Sequence, residues 1–95
     1  MESNNELTLF MEKVKTDARI GPLHISIFMA ILYRWRAEGY SNPLTVSAKL
    51  LMPLAKISGP QHFYRCMKQL HEFGYIRYEP SNNPAKPSQV FILKE

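Results

Sequence analysis

A chain of 95 residues with 45% hydrophobic residues and a formal net charge of +4 is sized for one domain and too apolar for a disordered tail. Its one cysteine, Cys66, excludes an intramolecular disulfide and a multi-cysteine zinc site, which suits a reducing, cytoplasmic setting. The longest apolar stretch, Leu23 to Tyr33, covers 11 residues where a membrane helix needs about 20, and the acidic opening Glu2-Ser3-Asn4-Asn5-Glu6 is no signal-peptide start, so neither membrane insertion nor export is expected.

Leu7, Phe10, Met11 and Val14 recur at i, i+3, i+4 and i+7, which predicts an amphipathic helix from about Asn4 to Thr16. Ser3 and Glu6 have the S-x-x-E spacing of a capping box. The stripe needs a cover, either the core of this chain or a second copy forming a homodimer through Leu7, Phe10, Met11 and Val14. Residues 1–19 are read as this helix and its linker, and residues 20–95 as the domain proper.

Ile20-Gly21-Pro22 interrupts the pattern, with Pro22 at the first position of a second helix. Ile27, Phe28, Ile31, Leu32 and Trp35 share one face of it, and Gly39 stops it. Leu44-Thr45-Val46 has room only for a small bridging strand. Ser47 caps a third helix carrying Leu50, Leu51 and Leu54, in which Pro53 predicts either a kink or a late start. After the turn Lys56-Ile57-Ser58 comes a fourth helix, with Ser58 and Gln61 at capping-box spacing and Gly74 as its stop. Phe63, Cys66, Met67, Leu70 and Phe73 form its apolar face; Gln61, Tyr64, Arg65, Lys68 and Glu72 gather opposite. Tyr75 to Glu79 and Val90 to Leu93 read as two strands of a hairpin whose tip, Pro80 to Gln89, is stiffened by prolines.

Charge is distributed unevenly. Residues 1–18 hold four acids against Lys13 and Lys15, whereas residues 19–94 hold ten basic side chains against Glu38, Glu72 and Glu79. A basic body is what a polyanion binder needs, because each phosphate contact releases counterions.

A tight turn between two short helices is a helix-turn-helix junction, and the hairpin follows where a wing would lie. The order of elements resembles the winged helix-turn-helix DNA-binding domains over roughly residues 20–95. The segment SGPQHFYRCMKQLHEFGYIRY (58–78) carries most of the likeness. The stretches TDARIGPLHISIF and CMKQLHEFGYIRYEPSNNP are similar to small winged-helix proteins of bacterial mobile elements, a group of transcription regulators and excisionase-like recombination factors. The fold implied is α+β, mainly α: a three-helix core with a β-hairpin wing, plus the extra N-terminal amphipathic helix.

The resemblance implies that the fourth helix enters the major groove of double-stranded DNA, with its N-terminal half against base edges. Arg65 would then donate bidentately to guanine, and Gln61 would read adenine. Tyr64 and His62 would reach bases or phosphates, and Lys68 a phosphate. Ser58 and the backbone around Gly59 would hold a phosphate at the helix start. Arg34, Arg36 and Lys49 would grip the backbone beside the groove. Arg77 and Lys86 are the cations of the wing, and Lys86 is its candidate for the minor groove. The bland reading of each is a solvated surface side chain. His62 and Cys66 are spaced i, i+4, but with no third or fourth ligand they predict no metal, and Cys66 reads as core. There is no Gly-rich phosphate loop, G-x-S-x-G or H-E-x-x-H, so neither catalysis nor a cofactor is expected. The rival reading is a winged helix that docks a protein partner and leaves DNA alone.

Overall fold

The structure, a computed structural model, describes residues 2–82 and 86–93, with side chains from residue 6 onward. It is α+β and mainly helical: α1 (Glu2–Val14), α2 (Pro22–Ala37), β1 (Leu44–Val46), α3 (Ala48–Ala55), α4 (Pro60–Glu72), β2 (Ile76–Glu79) and β3 (Ser88–Ile92). Among the described residues, no helix is long and apolar enough to cross a membrane.

Helices α2, α3 and α4 surround one core with the sheet closing its side. Ile27, Ile31, Trp35, Leu51, Phe63, Met67, Leu70, Ile76 and Val90 are all essentially without solvent contact. The start of α2 is built as its sequence requires. Pro22 occupies the first turn, and His24 Nδ1 accepts the Gly21 N–H at 2.9 Å, reaching back as a capping-box carboxylate would. His24 Nε2 also lies 2.8 Å from Gln69 Oε1, which ties the start of α2 to α4. At the other end Gly39 and Tyr40 both adopt left-handed φ values, +73° and +64°, and turn the chain toward β1.

The three strands are ordered β1-β3-β2, both pairings antiparallel, with Leu44 opposite Val90 and Ile76 opposite Ile92. Pro43 precedes β1 and has no N–H to extend the ladder. Asn42 supplies the missing pair with its side chain: Nδ2 donates to the Ile92 carbonyl at 3.1 Å, and Oδ1 accepts the Ile92 N–H at 2.9 Å. Asn42→Ala is expected to leave both Ile92 groups without these partners and to destabilise the domain by about 1–3 kcal/mol. Thermal unfolding checks it, and an unchanged midpoint would overturn the bridging role.

Ser47 caps α3 as expected, its hydroxyl accepting the Leu50 N–H at 3.2 Å. Pro53 neither delays nor interrupts this helix. It lies six residues into an eight-residue element, so the single N–H it removes comes in the last turn. The turn to α4 is Lys56 to Gly59, one residue longer than the spacing suggested, because Gly59 and not Ser58 is the N-cap of α4. The Ser58–Gln61 capping box is therefore not formed. Proline at position 60 takes the first helical site and shifts the cap onto its predecessor. The strands are offset too: β2 begins at Ile76 and β3 at Ser88, which shortens the tip to Pro80–Pro87.

The stripe on α1 is divided. Phe10 is 2% exposed and stacks on Phe28 with ring centroids 3.9 Å apart and planes 2° apart, while the edge of Tyr75 meets it at 5.4 Å. Val14 packs against the same core, whereas Leu7 and Met11 stay 37% and 40% exposed. This chain thus covers Phe10 and part of Val14, while Leu7 and Met11 face solvent. The helix begins at Glu2, so Ser3 is not its N-cap, and the Ser3 side chain lies outside the described residues.

A polar latch holds the linker after α1 to the α4–β2 junction. The Tyr75 hydroxyl donates to Asp17 Oδ2 at 2.8 Å, and Arg19 grips the same carboxylate with two bonds of 2.8 and 2.9 Å while lying over the Phe73 ring. Lys13 donates to the Gly74 carbonyl at 3.0 Å and sits over the Tyr75 ring. The bonds from Arg19, and then from Tyr75, hold the Asp17 carboxyl well below the usual carboxylate range. Burial first, then Asp17, push the Tyr75 phenol up to about 12. A carboxyl lowered in the fold stabilises it fully above its unfolded value near 3.8, and that contribution falls away on further acidification. A phenol raised in the fold stabilises it fully below pH 10.0, and that contribution is lost as pH climbs toward about 12. The melting temperature is therefore expected to decline at both extremes. Tyr75→Phe should flatten the alkaline decline, and a melting-temperature profile against pH that is identical in the two proteins would contradict the latch.

Candidate nucleic-acid interface

Helix α4 presents two chemically distinct faces because its apolar residues recur with the period of the helix. Phe63, Cys66, Met67 and Leu70 are buried; Gln61, His62, Tyr64, Arg65 and Lys68 are exposed. Cys66 is a core residue, and burial pushes its thiol up, away from the reactive thiolate. His62 does not share its face. Its Nδ1 instead accepts a bond from the Arg65 guanidinium at 2.9 Å, and its ring folds back over Gly59, where an added Cβ would come within 2.9 Å of Cδ2. The glycine thus gives the His62 ring its place, and His62 in turn orients Arg65.

The twelve side chains implicated by sequence do not form one patch. Ser58, Gly59, Gln61, His62 and Arg65 cluster at the start of α4. Tyr64 and Lys68, one turn apart, line a groove of about 560 Å³ between α4 and the β2–β3 hairpin, with His71, Tyr78 and Ser88. An adjoining recess of about 220 Å³ shares Tyr64 and Tyr78 and brings in Lys86 beside Ser47 at the start of α3. Lys49 is exposed on α3.

Two of the expected cations are committed elsewhere. Arg77 pairs with Glu79 at 2.6 Å, and its guanidinium lies 4.7 Å from the centre of the Phe91 ring. Arg34 pairs with Glu38 at 2.7 Å, in a separate recess lined by Leu44 and Leu50, while Arg36 is exposed in the last turn of α2. By contrast, no ion pair engages Lys49, Lys56, Lys68 or Lys86 among the described residues.

His71 and Tyr78 line the groove without having been singled out by spacing, and Lys56 is exposed in the turn that leads into α4. One signal in the sequence points to Lys56: from Gly39 to His71 there is no acidic residue at all, while Lys49, Lys56, Arg65 and Lys68 fall inside that run. His71 also continues the Tyr64–Lys68 line at i+3, and its Nδ1 accepts the Tyr78 N–H at 2.9 Å, fastening β2 to α4.

Lys56 occupies an unusual backbone position. It closes α3 with φ of +60°, where any residue with a Cβ is strained and glycine is favoured. Lys56→Gly is expected to raise stability by up to about 1 kcal/mol while removing an exposed cation. If that cation meets a phosphate, the slope of log affinity against log salt should shrink by about 0.9 in the same variant. Chemical denaturation and a salt titration check the two halves, and a loss of stability would contradict the strain.

Comparison of the chain with protein-family models, curated proteins and solved structures finds no match. What the site does rests on its own residues.

Proposed function

We propose that this chain is a winged helix-turn-helix protein that binds double-stranded DNA sequence-specifically, as a transcriptional regulator of a bacterial mobile-element locus. The observation that carries the reading is the outward face of α4. It offers Gln61, Tyr64, Arg65 and Lys68 with no acidic side chain before Glu72, on the second helix of a tightly joined pair. A 13-residue helix is about 20 Å long and slender enough for a major groove about 12 Å wide. Arg65 and Gln61 are the base-reading groups, Lys68, Lys56 and Lys49 the phosphate contacts, and the hairpin with Lys86 lies alongside.

The test is fluorescence anisotropy with duplexes tiled from the region around the gene itself, repeated across a salt series. Saturable binding to one tile, far tighter than to random duplex, with a log-affinity slope of several units, is the expected result. Uniformly weak binding with a shallow slope would overturn it. An excisionase-like architectural factor would use the same helix, and measured bending of the bound duplex separates the two roles. The outward-facing Leu50 and Leu54 of α3, one turn apart, favour the second reading, in which the domain docks a protein.

A further inference from the structure

We infer that the groove between α4 and the β2–β3 hairpin is a site for a single unpaired nucleotide, with the base against Tyr64 and Tyr78 and the phosphate on Lys68 and His71. This goes beyond duplex binding and does not require it.

Size comes first. A groove of about 560 Å³ falls in the range of small-ligand sites and has room for one base with its sugar and phosphate. The chemistry of the walls narrows the class. Tyr64 is 50% exposed, so its ring meets solvent, and the half-buried Tyr78 lines the same groove. Ser88 hydrogen-bonds the Tyr78 hydroxyl, and a phenol is uncharged at neutral pH, so it brings no negative charge. Two aromatic rings suit a flat aromatic ligand.

Charge then selects an anion. No acidic side chain lines the groove among the described residues, and Lys68 has no ion-pair partner there. His71 uses Nδ1 as an acceptor for the Tyr78 N–H, which in the neutral ring puts the proton on Nε2 and leaves that nitrogen as a donor. Lys86 lines the adjoining recess, which shares Tyr64 and Tyr78 with the groove. An aromatic ring and a phosphate joined within one groove's length describe a nucleotide, whether free or unpaired within a strand.

The experiment titrates the full chain, by tyrosine fluorescence, with adenosine monophosphate. In parallel, anisotropy compares a perfect duplex with the same duplex bearing one unpaired base. Saturable binding of the mononucleotide identifies a free nucleotide as a sufficient ligand. Tighter binding of the bulged duplex without mononucleotide binding identifies a strand as the source. In either case Tyr64→Ala should weaken the interaction on the order of tenfold, Tyr64→Phe should retain it, and Lys68→Ala should weaken it and reduce its salt dependence. Tyr33→Ala, an exposed tyrosine of α2 outside the groove, serves as the control that should change nothing. Absence of both mononucleotide binding and a preference for the bulged duplex, or indifference to Tyr64→Ala, overturns the site. Perfect-duplex affinity is read in the same series, so failure of the nucleotide site and failure of the DNA-binding reading are distinguishable.

Discussion

Phe10→Ala is expected to destabilise the domain by about 3–5 kcal/mol, a large part of what a domain of this size possesses. The ring is buried between Phe28, on which it stacks, and the edge of Tyr75, so its removal opens a cavity where α1, α2 and the α4–β2 junction meet. Val14 and the polar latch around Asp17 would then have to hold α1 by themselves. Met11→Ala, on the open side of the same helix, should change stability by no more than about 0.5 kcal/mol. Chemical denaturation of the two variants side by side measures the contrast. Equal losses would mean that α1 does not sit on the core as described.

The second large effect is on binding. Arg65→Ala combined with Lys68→Ala should reduce affinity for the cognate duplex on the order of 100-fold, since one bidentate base contact alone is worth about 1–3 kcal/mol and a phosphate contact is lost with it. Both side chains are exposed, so circular dichroism and melting should be unchanged. Arg77→Ala should do far less, because Glu79 already holds that guanidinium. Unchanged duplex affinity in the double variant would sink the DNA-binding reading and shift attention to Leu50 and Leu54.

Helix punctuation was the most legible part of the sequence. Pro22, Gly39, Ser47 and Gly74 act through one residue's own backbone or hydroxyl, and each sits where its local chemistry put it. The capping box at Ser58 failed for a reason equally local: with Pro60 as the first helical residue, the cap must be Gly59. Features set by distant residues were not legible. Nothing near Phe10 says that Phe28 and Tyr75 will cover it while Leu7 and Met11 remain in solvent. The bridge from Asn42 to Ile92 spans 50 residues and depends on strand register. In the site, the outward set on α4 followed from helical periodicity alone. The loss of Arg34 and Arg77 to Glu38 and Glu79 was readable in principle from their separations of four and two residues. The groove was not, because it exists only once the hairpin leans on α4 through His71 and Tyr78.

The strand order carries a consequence for engineering. β3 is the last strand in sequence but the middle one in space, so β1 has no sheet partner until Ser88–Ile92 is in place. β1 leads directly into Ser47, the cap of α3. A hairpin transplanted from another protein would therefore do more than alter the loop beside α4. Without a valine-like side chain at position 90 and the register that brings the residue-92 backbone to Asn42, it would release β1 and the approach to the helical pair as well. Libraries that vary this module should confine their diversity to the tip and leave Ser88 to Ile92 intact.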